Sequence, residues 1–199
     1  MQKLLVATRN SGKLQEIFAA LGKIDFNLLS LQDARVPPGF DIAETGKTLR
    51  ENVTLKAKGF SQKTGLLTLA DDTGLFVKAL HGRPGVLSRR YAPTPEDRNK
   101  KLIGELKKHT DKSAYFKAII ALYHPHTKLL KTFTGISRGL IIDQPQGTHG
   151  FGYDPIFFST DLQKTFAQAT LAEKLTSSAR GLALAKVRIF LRQLVAEDD

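Results

Sequence analysis

Residues 4–18 read LLVATRNSGKLQEIF, and how that stretch divides decides the fold. Leu4 to Ala7 is a short apolar run of the kind a buried strand makes. Beyond it Leu14, Ile17, Phe18 and Leu21 recur at helical spacing, so a helix follows the strand almost at once. The junction holds Thr8, Arg9, Asn10, Ser11, Gly12 and Lys13. Unpaired N–H groups at the start of a helix, beside a lysine and at the end of a strand, suit an oxyanion. The junction is not a P-loop, because GxxxxGK[ST] is missing and no GxGxxG follows. A phosphate site and an ordinary capped turn both stay open on this stretch alone.

Outward from that unit, Phe26 to Leu31 reads as a strand and Pro37-Pro38-Gly39 as a turn. Thr48-Leu-Arg-Glu51 is a capping box and predicts a helix from Asn52 to about Gln62, with Val53, Ala57 and Phe60 inward. Asn52 and Lys56 lie four apart on it, placed to face one ligand. Leu66 to Ala70 reads as a strand broken at Asp71-Asp72-Thr73-Gly74, with Leu75 to Ala79 extended again. Thr94-Pro95-Glu96-Asp97 opens a further helix with a cap, proline in the first turn and acids beside it. Tyr115–Tyr123 and Leu129–Ser137 predict a hairpin across HPHTK, and a last helix runs from near Ser178 to about Ala196. Helices before and after strands, with one hairpin, give a mixed α/β sheet. No linker, repeat or low-complexity stretch divides the 199 residues, so one domain is expected over 1–199.

Composition narrows the classes. Apolar residues at 41% and charged residues at 25% are ordinary for a globular chain able to bury a core. No apolar run reaches the ~20 residues of a membrane span, and the first residues lack a secretory pattern; a cytoplasmic protein without a membrane partner is expected. The absence of cysteine removes thiolate catalysis and cysteine-based zinc sites. A net charge of +11 favours anionic partners, but the basic residues are spread along the chain. Nucleic acid is therefore not expected as the functional partner.

The chemistry gathers in three stretches. In ADDTGLF a buried strand meets two adjacent carboxylates, Asp71 and Asp72, whose side chains must project oppositely. Glu44, in AETGKT, is a third candidate acid. Carboxylates without cysteine or clustered histidine suit a hard cation, Mg²⁺ above all, while an acid pair serving only turn amides is the plain structural alternative. Against them stand Lys13, Lys56, Lys174, Arg90 and Arg180. Arg180, in the first turn of a helix capped by Ser178, sits where the helix field disfavours a cation unless an anion answers it. In GTHGFGYDPIFF, Phe151 and Tyr153 offer rings to a planar base, Gly152 allows close approach, and Asp154 can accept from a base edge; core packing is the alternative for the rings. His81, His109, His124, His126 and His149 form no ligand spacing, and Ser88 has no histidine partner that would make it a nucleophile.

Taken in order, TRNSGK, ETGKTLREN, ADDTGL, PGVLSRRY, GFGYDPIF, KTFAQATLAEK and SSARG resemble the inosine/xanthosine triphosphate pyrophosphatase family over nearly the whole chain. The resemblance implies an elongated, two-lobed α/β fold with a mixed sheet and a central nucleotide cleft. It implies a Mg²⁺-dependent homodimer that cleaves inosine, deoxyinosine or xanthosine triphosphate to the monophosphate and pyrophosphate. By the same resemblance Thr8, Asn10, Lys13 and Lys56 would hold the phosphates, and Glu44 and Asp72 the metal. Asp72 would activate water with Asp71 in support. Phe151, Gly152, Tyr153 and Asp154 would take the purine, Lys174 and Arg180 would complete the phosphate and base contacts, and Ser88 and Arg90 would shape the cleft. The chain departs from the family at Ser178-Ala179-Arg180-Gly181, where the usual second residue is a histidine that helps read the purine 6-oxo group. That departure implies a relaxed or altered base preference as one alternative. A nucleotide sensor or a basic nucleic-acid binder is the non-enzymatic one. Arg83, between Gly82 and Pro84, and Arg89, just before Arg90, add charge in the loop that carries Ser88.

Overall fold

The computed structural model describes residues 1–22 and 24–198. In chain order it has β1 (Gln2–Val6), α1 (Ser11–Leu21), β2 (Phe26–Leu29), α2 (Leu49–Thr64), β3 (Leu67–Val77), β4 (Pro84–Gly85) and α3 (Pro95–Leu106). There follow β5 (Ser113–Tyr123), β6 (Leu130–Ile141), β7 (Phe157–Ser159), β8 (Lys164–Thr165), α4 (Leu171–Ser177) and α5 (Ala179–Asp198). The strands order as β2-β1-β3-β5-β6-β7-β8, with β4 pairing β3. β1 runs parallel to β2 and β3, whereas β4, β7 and β8 pair antiparallel. The sheet is therefore mixed, as the patterning predicts.

The chain divides into two compact units, one made of Met1–Asp72, Ala118–Thr134 and Ala183–Asp199, the other of Thr73–Lys117 and Gly135–Leu182. In the first unit Leu4 and Val6 of β1, Ile17 and Leu21 of α1 and Leu69 of β3 share a core with Ala183, Leu184, Val187 and Leu191 of α5. The helical spacing of those α5 residues turns one face of that helix inward. In the second unit Leu75 and Val77 of β3, Leu102 and Leu106 of α3 and the rings of Tyr153, Phe157 and Phe166 form a separate core. β3 belongs to both, passing from the first unit to the second between Asp72 and Thr73.

Several boundaries differ from the sequence expectation. β3 is not broken at Asp71–Gly74 but runs through it, and Lys78–Leu80 is a single 3₁₀ turn rather than extended chain. Acids and glycine disfavour a strand locally, but β3 lies between β1 and β5 inside the sheet, and that tertiary setting overrides the local preference. The second strand stops at Leu29 because Ser30 and Asp33 close a turn, Asp33 accepting from the Ser30 N–H at 2.9 Å and from its hydroxyl at 2.7 Å. β6 continues to Ile141, past Ser137. Helix α4 adds an element that the sequence pattern does not predict, opened by a full capping box of Thr170 and Glu173.

Candidate active site

In the first unit the β1–α1 junction is a capped turn. Asn10 is the N-cap, its side chain accepting from the Lys13 N–H at 2.9 Å, and the Thr8 hydroxyl accepts from the Asn10 N–H at 3.2 Å. That geometry starts α1 where the strand ends and directs the Lys13 side chain to Asp71, with Nζ 2.6 Å from Oδ2. The Asp71 side chain is fully buried. One residue on, Asp72 projects the other way, as strand alternation requires, towards α2. Lys56 of α2 meets it with Nζ 3.7 Å from Asp72 Oδ1 and 3.0 Å from Glu44 Oε1, and donates to the Asp71 carbonyl oxygen at 2.8 Å.

The segment that carries Glu44 has no regular structure, yet it is tied down along its length. Arg9 donates to the carbonyl oxygens of Pro37 and Phe40, at 2.7 and 2.6 Å. Phe40 meets Phe60 edge-on, with centroids 5.6 Å apart. Ile42 sits over Gly59, where a Cβ would lie 2.4 Å from its methyl, so only glycine allows the approach. Asn52 accepts from the Gly46 N–H at 2.8 Å. Asn52 therefore positions the Glu44 segment, a different task from sharing a ligand with Lys56.

The electrostatics follow from burial. Desolvation raises the Asp72 carboxyl above its usual value; Lys56 and then Lys13 pull it down, and Glu44 and Asp71 push it up again. Glu44 and Asp72 already converge on one positive charge, the Lys56 ammonium, and both offer only oxygen, a donor pair suited to a hard divalent cation. Among the described residues no group of three or more Asp, Glu, His or Cys could hold a metal.

In the second unit the residues gather around Phe151. Its N–H donates to Asp154 Oδ2 at 2.7 Å, and Lys174 donates to that same oxygen. Lys174 Nζ lies 4.7 Å and Arg180 Cζ 5.6 Å from the centre of the Phe151 ring, so two cations flank one aromatic face or edge. Arg180 donates to Thr73 Oγ1 at 3.0 Å. Ser178 caps α5, its hydroxyl accepting from the Gly181 N–H at 3.1 Å, which puts Arg180 in the first turn as the sequence implied. Gly150 has φ +74, and a Cβ there would fall 2.1 Å from Asp154 Oδ2.

Residues 4–190 match the Ham1 family. The chain belongs to that family. A relative from Geobacter sulfurreducens, a dITP/XTP pyrophosphatase, is 46% identical over 193 residues, covering 94% of this chain and 96% of its own. A HAM1 protein from Coxiella burnetii superposes with a TM-score of 0.87 at 37% identity, over 97% of this chain and all of that one. The Ham1 protein of Staphylococcus aureus gives 0.85 at 34% identity, over 96% and 99%.

In this Ham1 chain the expected residues fall into two groups by unit. Lys13, Glu44, Lys56, Asp71 and Asp72 converge in the first, beside Thr8 and Asn10, whose side chains serve the turn. Phe151, Asp154, Lys174 and Arg180 converge in the second. Tyr153 offers no ring to a base: it is buried in the core, its hydroxyl donates to the Ser88 carbonyl at 2.9 Å, and burial pushes its ionisation up. The Ser88 hydroxyl is likewise committed, donating to the Gly85 carbonyl at 2.6 Å and accepting from the Leu75 N–H at 2.8 Å. Arg90 is exposed at the end of the 3₁₀ turn Ser88–Arg90, and Arg83 pairs with Glu105 at 3.4 Å. Arg9, Thr73 and Asn99 join these groups unforeseen, since each acts on a residue far away in sequence.

Proposed function

We propose that this Ham1-family protein hydrolyses inosine, deoxyinosine and xanthosine triphosphates to the nucleoside monophosphate and pyrophosphate. The observation that carries the reading is Lys56, an almost buried ammonium held between two carboxylates at 3.0 and 3.7 Å beside a second ion pair, Lys13 with the fully buried Asp71. A structural core has little use for three acids and two lysines so close together, because desolvating each charge is costly. A polyphosphate reaction uses all five. The likeness to a dITP/XTP pyrophosphatase over nearly the full chain supports the same reading.

In the proposed mechanism Glu44 and Asp72 would hold Mg²⁺, which when bound would supply charge neutralisation and Lewis-acid polarisation of the phosphate chain. Asp72, whose carboxyl holds its proton more readily than a solvated aspartate, accepts the proton of the attacking water. Lys13 and Lys56 stabilise the charge that builds on the departing pyrophosphate. Asp71 holds Lys13 in place. Phe151 takes the purine ring, and Arg180, held by Thr73, offers N–H donors to an oxygen at purine position 6, where adenine carries a donor of its own. Ala179 contributes only a buried methyl beside that arginine, which favours a preference broader than oxo-purines alone. A homodimer belongs to the same proposal.

The test is turnover of inosine, xanthosine, deoxyinosine, guanosine and adenosine triphosphates with and without Mg²⁺, with pyrophosphate measured separately from orthophosphate. Pyrophosphate release with oxo-purines ahead of adenosine triphosphate is the expected result. Orthophosphate release, or no turnover of any of them, overturns the proposal.

A further inference from the structure

Helix α3 turns Leu102 and Leu106 into the core of the second unit, and at the same helical face, three and seven residues earlier, stands Asn99. An amide there occupies a position where the spacing calls for an apolar side chain, and Asn99 is only 8% exposed. Its Nδ2 donates to the carbonyl oxygen of Gly152 at 3.1 Å. The reverse orientation would set two acceptors against each other, so the bond fixes which end of the amide faces the loop. Its Oδ1 is buried without a hydrogen-bond partner among the described residues. Burying that acceptor is unfavourable, so Asn99 is a poor choice for stability alone.

The bond lands on a residue with φ +67, where a side chain would meet nothing within 4 Å. Gly152 thus answers to backbone conformation, and that conformation presents its carbonyl to α3. On one side of it the Phe151 N–H is held by Asp154; on the other the Tyr153 hydroxyl is held by the Ser88 carbonyl. Asn99 supplies the middle tether. With all three in place the backbone of 151–154 has little freedom, and the Phe151 ring is set beside Lys174 and Arg180.

We infer that Asn99 is a positioning residue for base recognition: by holding the Gly152 carbonyl it pre-orients Phe151 for a planar purine. This rests on Phe151 being the purine platform. The bond is made before ligand arrives, so its loss should appear as weaker binding of the base-bearing ligand, leaving polyphosphate binding alone.

Calorimetric titration of inosine 5′-monophosphate and of inorganic tripolyphosphate against the wild type, Asn99→Leu and Asn99→Asp tests this. Both replacements keep the four-heavy-atom branched skeleton of asparagine and lack the amide donor. Affinity for the monophosphate should fall about tenfold in each, with tripolyphosphate held within about twofold. Thermal unfolding of Asn99→Leu should match or exceed the wild type, because an unpaired buried acceptor has gone. Monophosphate affinity within about twofold of wild type in both variants overturns the inference. So does an equal loss for tripolyphosphate, which marks a general structural role. Should Asn99→Leu fail to fold, Asn99→Asp and Asn99→Ser decide on the same readouts. A failure of the platform reading looks different: Phe151→Ala then binds the monophosphate as tightly as the wild type.

Discussion

Replacing Lys56 with methionine keeps the length of the side chain and removes its charge. In the native protein that ammonium lies 3.0 Å from Glu44 and 3.7 Å from Asp72. At an effective dielectric of ~20 each attraction is worth ~4–6 kcal/mol gross. Much of that is offset because the ammonium no longer has to be desolvated. Stripping one partner from a buried ion pair leaves a net cost of about 3–5 kcal/mol. The Glu44 side chain is 29% exposed and screened accordingly, so the lower end applies, ~3 kcal/mol. For a chain of this length that lowers the unfolding midpoint by about 6–12 °C. The effect must depend on pH. Burial already raises the Asp72 carboxyl above its unfolded value, and losing Lys56 removes the largest opposing influence. Between the unfolded and folded values the native variant binds more protons than its unfolded chain, so its stability falls as pH rises through that window. The gap between variant and wild type is therefore widest at neutral pH and closes as pH drops towards 4. Mg²⁺ should also stabilise Lys56→Met more than the wild type, since a cation is missing from between two carboxylates. Thermal unfolding from pH 4 to 8, with and without Mg²⁺, measures all three quantities. A midpoint loss that is the same at every pH, with Mg²⁺ helping both proteins equally, would refute the electrostatic account and leave only packing.

Asp72→Asn should lower turnover by about 10²-fold or more while nucleotide affinity stays within a fewfold, as expected when a proton acceptor is lost. Because the raised Asp72 ionisation makes its charged form a burden on the fold at neutral pH, this variant should also melt higher than wild type at pH 7 and lose that advantage in acid; a lower midpoint at pH 7 contradicts the assignment. Lys13→Ala leaves the fully buried Asp71 carboxylate without its 2.6 Å partner and should cost about 3–5 kcal/mol of stability. It should also weaken triphosphate binding more than nucleoside binding, and equal weakening of both would remove Lys13 from the phosphate site. Ala179→His should widen the preference for inosine over adenosine triphosphate, measured as a ratio of kcat/KM values; an unchanged ratio shows that Arg180 and Phe151 alone set base choice.

What could be read from the chain was whatever local chemistry dictates. The strand–turn–helix start, the capping box at Thr48 and Glu51 and the threonine–proline start of α3 all stand where the sequence places them, because each is settled by residues within one turn. Helix α4 carries the same capping signal but spans only seven residues, too few for a helical apolar period to show in the sequence. Beyond reach were bonds whose partners are remote: Arg9 to the carbonyls of Pro37 and Phe40, Asn99 to Gly152, and Arg180 to Thr73 across 107 residues. Nothing near either end of such a pair reports the other.

The two aspartates show how far the local signal extends. Adjacent carboxylates in a buried strand are unfavourable by any local rule, so ADDTG announces that counter-charge must come from elsewhere. Strand alternation adds that a single cation cannot serve both side chains, since they leave the strand on opposite faces. Each carboxylate therefore needs a partner of its own, one on each face of the strand. Which lysine answers which acid depends on the parallel pairing of β1 with β3 and on where α2 lies, and only the fold supplies those. Lys13 arrives from the turn after β1 and takes Asp71; Lys56 arrives from α2, takes Asp72, and also holds the Asp71 carbonyl. That last bond couples the two pairs through the strand backbone. Displacing Lys56 must disturb Asp71 as well as Asp72, so substitutions at Lys56 and Lys13 should cost less together than the sum of their separate effects, a non-additivity that unlinked ion pairs would not produce.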